Sequence, residues 1–168
     1  MKKDKKNDYW RNKNDKKHYL CGKLKIMQEL ALHEPAISYG STDDHNLLSI
    51  IELVRQGISY SAFEKFASGF KFSLGEWARF LHVSERSIQR YKKEQKRFDS
   101  PQSEKLIEIV MLFKKGEDVF GSRAGFISWL ESSNPALGGG APVGFIDNTF
   151  GIGLVKDELT RIEHGVMA

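Results

Sequence analysis

Residues 73–97 read SLGEWARFLHVSERSIQRYKKEQKR, two short helical patterns placed back to back. Ser73 followed three residues later by Glu76 is a capping-box signature, so a helix is expected to begin there. Leu74, Trp77, Ala78 and Leu81 then recur at the i, i+3, i+4, i+7 spacing of one buried face. His82 and Val83 interrupt, and Ser84 is suited to cap a second helix. The turn position after Leu81 favours positive φ, which His82 tolerates better than a β-branched residue would. In the second helix Ile88 and Tyr91 share an apolar side. Arg86, Gln89, Arg90 and Lys93 gather opposite them at about 100° per residue. Long cationic and amide side chains pair with guanine edges, adenine edges and phosphates. Two short helices joined by a tight turn, the second basic, form a helix-turn-helix pattern. The expected DNA-contacting set is Ser84, Arg86, Ser87, Gln89, Arg90 and Lys93. A solvated amphipathic helix would share the basic face alone; the capped first helix, the small Ala78 and Val83 before the second cap favour the motif.

Outward from this stretch, charge is unevenly placed. The chain has 168 residues and a net charge of +4. Residues 1–25 hold ten Lys/Arg against three Asp, and residues 71–97 hold eight against three Glu, which leaves the rest at a net −8. Positive charge concentrated in a tail and a helix-turn-helix suits a polyanion partner. A single cysteine, Cys21, excludes an internal disulfide and fits a reducing cytoplasm. No apolar run is long enough to span a membrane. The Lys-rich start lacks the apolar stretch of a secretory signal.

Helical patterns follow one another. A basic, largely disordered tail and linker are expected over 1–42, with a short helix at Leu24–Leu32 and a linker at Pro35–Ser41. Asp43 or Asp44 opens a helix with Leu47, Ile50, Ile51 and Val54 as its buried stripe, ended by Gly57. Ser59 or Ser61 opens the next, with Ala62, Phe63, Phe66 and Ala67. Asp99 or Ser100 with Pro101 starts a helix whose core stripe is Leu106, Ile109, Val110 and Phe113, and which is expected to finish at Lys114, Lys115 and Gly116. Ser122 caps a helix with Phe126, Ile127, Trp129 and Leu130. A short helix at Pro142–Asn148 follows, and Thr149-Phe150-Gly151 separates it from a last helix with Val155, Leu159 and Ile162. The chain is therefore read as all-α, with a helix-turn-helix bundle over 43–117 and a small helical domain over 118–168.

No catalytic, metal or cofactor site is legible. Gly138-Gly139-Gly140 lacks the preceding strand and the Lys-Ser/Thr of a phosphate loop and reads as a turn. His18, His33, His45, His82 and His164 have no ligand spacing with one another.

The C-terminal third has an ordered signature: Trp129-Leu130, Asn134-Pro135-Ala136-Leu137-Gly138-Gly139, Pro142, Gly151, Val155, and Leu159 through Val166. It resembles the toxin-binding domain of the Xre/MbcA/ParS antitoxins, and the upstream bundle is similar to the Xre-like domain of the same family. The resemblance covers roughly residues 45–168. It implies a non-enzymatic antitoxin of a type II pair, whose partner is a RES-domain toxin that consumes NAD. It also implies a homodimer, and a complex that binds operator DNA to repress its own operon. Arg161, Glu163, His164, Val166 and Met167 are the expected toxin contacts, since an Arg with apolar neighbours suits an interface anchor. Two other readings stand beside this one: a stand-alone repressor whose C-terminal domain only dimerises, and an adaptor that keeps the helix-turn-helix as scaffold.

Overall fold

The computed structural model describes residues 44–165. The basic tail, the Leu24–Leu32 helix, Cys21, Val166 and Met167 lie outside the described residues. Seven α-helices occur among those described: α1 (Asp44–Gln56), α2 (Tyr60–Ala67), α3 (Leu74–Phe80), α4 (Glu85–Glu94), α5 (Ser100–Phe120), α6 (Arg123–Glu131) and α7 (Thr149–Glu163). Short 3-10 turns at Pro135–Leu137 and Pro142–Phe145 connect the last two. The all-α expectation holds: among the described residues, strand-like pairing is confined to one antiparallel bridge, Ser59 to Arg97.

Four helix starts follow the serines that sequence indicated, and a fifth, at Asn148, does not. Ser59, Ser73, Ser84, Ser122 and Asn148 each accept a hydrogen bond from a first-turn backbone N–H, satisfying donors that a helix leaves orphaned. Asp99 precedes α5 without a side-chain cap bond, and Pro101 lies in the first turn, where its missing N–H is no loss.

The core is rich in aromatic rings. Phe63 meets Trp77 edge-to-face at 5.3 Å, and Phe70, Phe72 and Phe66 surround Phe113. Phe80, Phe98, Phe113 and Phe126 are fully buried. Helix α5 is the spine: it packs against α1 on one side and against α6 and α7 on others. Its stripe of Leu106, Ile109, Val110 and Phe113 is buried as expected. At Lys105, burial pushes the ammonium pKa down while Glu108, at 3.5 Å, opposes the shift. Glu108 also accepts the Thr149 hydroxyl at 3.2 Å, which ties the start of α7 to the spine.

Four local expectations are corrected. Helix α5 does not finish at Gly116; it continues to Phe120 and stops at Gly121 with φ 65°. Gly116 is buried mid-helix because a Cβ there would overlap the Phe126 ring. The expected stripe on α1 is not buried: Leu47 and Ile51 are 57% and 38% exposed, Ile50 and Val54 are half-buried, and the buried residue is Leu53, outside the stripe. Thr149-Phe150-Gly151 is not a separator but the first turn of α7, because Asn148 accepts from the Gly151 N–H at 2.8 Å. The helix expected at Pro142–Asn148 is reduced to the 3-10 turn that ends at Phe145. Asn148, used as the cap, starts a new helix instead of ending the old one.

Candidate functional site

The helix-turn-helix is built by caps at both ends of both helices. The Ser73 hydroxyl accepts from the Glu76 N–H at 3.2 Å, and the Glu76 carboxylate accepts from the Ser73 N–H at 2.7 Å. These bonds from the Ser73 backbone N–H and then its hydroxyl hold the Glu76 pKa below its ordinary value. At the other end of α3, the Val83 N–H reaches the Ala78 carbonyl and the His82 N–H reaches that of Arg79. That pair of bonds is a Schellman motif. It requires a left-handed residue at the turn, and His82 supplies it with φ 53°. Helix α4 ends the same way, with Gln95 at φ 47° and the Lys96 N–H bonded to the Tyr91 carbonyl.

The inner side of α4 is anchored by Ile88 and Tyr91, both buried. Below it, the segment after α4 pairs with the segment before α2. The Tyr60 N–H bonds the Lys96 carbonyl at 3.0 Å and the Phe98 N–H bonds the Ile58 carbonyl at 2.8 Å. Buried Ser103 accepts from the Ile58 N–H and donates to the Phe98 carbonyl, locking this clamp to α5. A side chain at Gly57 would overlap the Phe98 carbonyl, and φ there is 77°. The orientation of α4 is therefore held from below at several points.

The outer side carries Arg86, Gln89, Arg90 and Lys93, all exposed. None of the four forms a salt bridge with a described residue. Cations beside them are partnered: Lys92 pairs with Glu64 at 3.0 Å, and that bond raises its pKa. Lys96 pairs with Glu94 at 2.5 Å, and the Arg97 guanidinium donates to the Gly57 carbonyl at 2.7 Å. So the four residues of the expected face form no ion pair with a described residue, while the flanking cations are partnered. Ser84 and Ser87 lie at the start of α4 with their hydroxyls 2.9 Å apart, and Ser84 is the cap.

At the far end of the chain, Arg161 donates to Glu158 at 3.3 Å. Glu163 accepts from Lys115 at 2.8 Å, and this bond lowers the Glu163 pKa. His164 is exposed and ends α7, its N–H bonded to the Thr160 carbonyl. These three expected contact residues lie at the C-terminal end of α7, Arg161 paired within the helix and Glu163 paired with α5. Sequence reasoning passed over Phe150 and Leu154, which are 89% and 52% exposed on the same helix. Their i, i+4 spacing, out of phase with Val155 and Leu159, was the available signal. Among the described residues, no group of three or more His, Cys, Asp or Glu is placed to hold a metal ion. No helix among them is long and apolar enough to cross a membrane.

A capped helix-turn-helix followed by an α6–α7 unit defines a helix-turn-helix protein with an appended helical domain. Both parts match known families. Residues 49–111 match the antitoxin Xre-like helix-turn-helix domain, and residues 115–165 match the antitoxin Xre/MbcA/ParS C-terminal toxin-binding domain. The chain belongs to the Xre/MbcA/ParS antitoxin family, a class of proteins that are not enzymes. It is similar to the antitoxin Xre of Yersinia enterocolitica, with 24% identity over 120 residues that cover 71% of this chain and 81% of that one. A toxin-binding domain implies a toxin partner, and the helix-turn-helix implies DNA.

Proposed function

We propose that this antitoxin neutralises a RES-domain toxin, an NAD-consuming enzyme, and represses its own operon as a homodimer in the cytoplasm. The observation that carries the reading is the pairing of two functions on one spine. An exposed face of Arg86, Gln89, Arg90 and Lys93 sits on one matched domain, and α7 with its exposed Arg161, Glu163 and His164 sits on the other. In the proposed division, residues 43–117 bind DNA with Ser84 and Ser87 at the start of the recognition helix. Residues 118–168 bind the toxin.

The mechanism is steric. The last turn of α7 and the tail beyond it, including Val166 and Met167, cover the toxin's substrate pocket. Operator recognition needs two copies, because one recognition helix reads one half-site and half-sites lie about 34–36 Å apart. The test is co-expression of the product of the adjacent reading frame with and without this chain, following growth and cellular NAD. Collapse of both alone and recovery of both together supports the reading. A harmless neighbour removes its basis, and neutralisation that survives truncation after Arg161 removes the assigned tail contact.

A further inference from the structure

Helix α7 has two different sides. Its inner side, Ile152, Val155 and Leu159, is buried to 1% exposure or less. Its outer side bears Phe150, Leu154, Asp157 and Arg161, all exposed, at i, i+4, i+7 and i+11. At about 100° per residue these four form one stripe opposite the buried side. The chain's own core is thus complete without them. Yet the stripe begins with a phenylalanine that is 89% exposed, followed by a leucine that is 52% exposed.

Isolated exposed apolar residues are ordinary on protein surfaces. An aromatic and an aliphatic side chain one helical turn apart, with no described residue folded over them, form a patch. Gly153 flanks the stripe, and a Cβ added there would meet no atom within 4 Å, so the helix surface beside Phe150 is open. Towards the C-terminal end the stripe becomes polar through Asp157 and Arg161, which is held by Glu158. An apolar centre bordered by charged residues, with an aromatic anchor, is the composition of a protein–protein contact.

We propose that this stripe is a docking face for the toxin, with Phe150 entering an apolar pocket on the toxin surface and Leu154 packing beside it. The proposal rests on the reading that the C-terminal domain binds a toxin. Two observations favour the toxin over a second copy of this chain. The stripe is continuous with the last turn of α7, within the residues that match a toxin-binding domain. A second exposed apolar group, Leu47, Leu48 and Ile51 on α1, lies outside the toxin-binding match and offers self-association a separate surface. The toxin is thus held along the length of α7 as well as at its end. Phe150 supplies affinity, and the terminal residues obstruct the active site.

The experiment compares the full-length protein with its Phe150→Asp and Leu154→Asp variants. Binding to the purified product of the adjacent reading frame is measured by calorimetry, and the mass of each antitoxin alone by sedimentation velocity. Position 150 is exposed and in the first turn of α7, where an acidic residue complements the helix dipole, so the fold is retained. A thermal melt checks this. Phe150→Asp is expected to weaken toxin binding about 30-fold or more, as for loss of an aromatic anchor, with mass unchanged. Leu154→Asp is expected to weaken it less. Wild-type affinity in both variants overturns the docking face while leaving the antitoxin reading intact. A fall in the mass of the antitoxin alone assigns the stripe to a second copy and also overturns it. If the wild-type protein does not bind the toxin, the antitoxin reading fails first and the docking face with it.

Discussion

At the scale of single residues, the helix-turn-helix depends on His82. Its φ of 53° lets the turn close on the Ala78 and Arg79 carbonyls. A β-branched residue is poorly accommodated there, so His82→Val is expected to destabilise the protein by about 1–2 kcal/mol, while His82→Asn stays close to wild type. Urea unfolding measures both, and equal midpoints for Val and His would show that the turn relaxes. Glu76 gives a pH signature. Its pKa is lowered in the folded state by bonds from Ser73, so its contribution is fully present above the ordinary value of 4.5 and is lost as pH falls through the lowered one. Glu76→Gln keeps the geometry but not the charge. The wild type is therefore expected to be the more stable of the two at neutral pH, by about 0.5–1 kcal/mol. That advantage should shrink in melts recorded below pH 4.5. A difference independent of pH would assign the effect to shape alone.

At the scale of elements, α5 connects the DNA-binding and toxin-binding halves. It runs unbroken from Ser100 to Phe120, and the two family matches meet within it. Gly116 allows this by admitting the Phe126 ring against the helix backbone. Gly116→Val improves helix propensity slightly but forces the buried ring out of place. The ring dominates, and a net loss of about 1–3 kcal/mol is expected. It should appear as a lower urea midpoint with an unchanged slope. Wild-type stability in this variant would mean that Phe126 has room to move. The sequence showed where this helix began, through Pro101, and which residues formed its stripe. It did not show where the helix ended. Lys114-Lys115-Gly116 has the composition of a helix terminus, and only the position of Phe126 reveals that the glycine serves contact between helices.

At the scale of the whole molecule, the two binding faces are separate in the chain. Arg90→Ala is expected to weaken operator binding by about 1–3 kcal/mol and to leave toxin neutralisation unchanged. Fluorescence anisotropy at fixed salt measures the first and co-expression the second. Unchanged DNA affinity would remove α4's outer face from the interface. Coupled loss of both functions would mean that the toxin complex and the DNA complex share a surface.

The sequence by itself determined the helical class, the starts of α2 to α6, the paired caps of α3 and α4 and the basic face between Ser84 and Lys93. These depend on neighbours within a few residues: a hydroxyl reaches a backbone N–H three positions on, and a face repeats every three or four. Tertiary structure decided what depends on distant contacts. It showed that Lys92, Lys96 and Arg97 are held by the fold while Arg86, Gln89, Arg90 and Lys93 form no salt bridge with a described residue. It also showed that Leu47 and Ile51 face outward and that Phe150 is almost fully exposed. An apolar residue has the same identity whether it fills a core or awaits a partner. Only the packing of the other helices settles which side of α1 and α7 the core has covered.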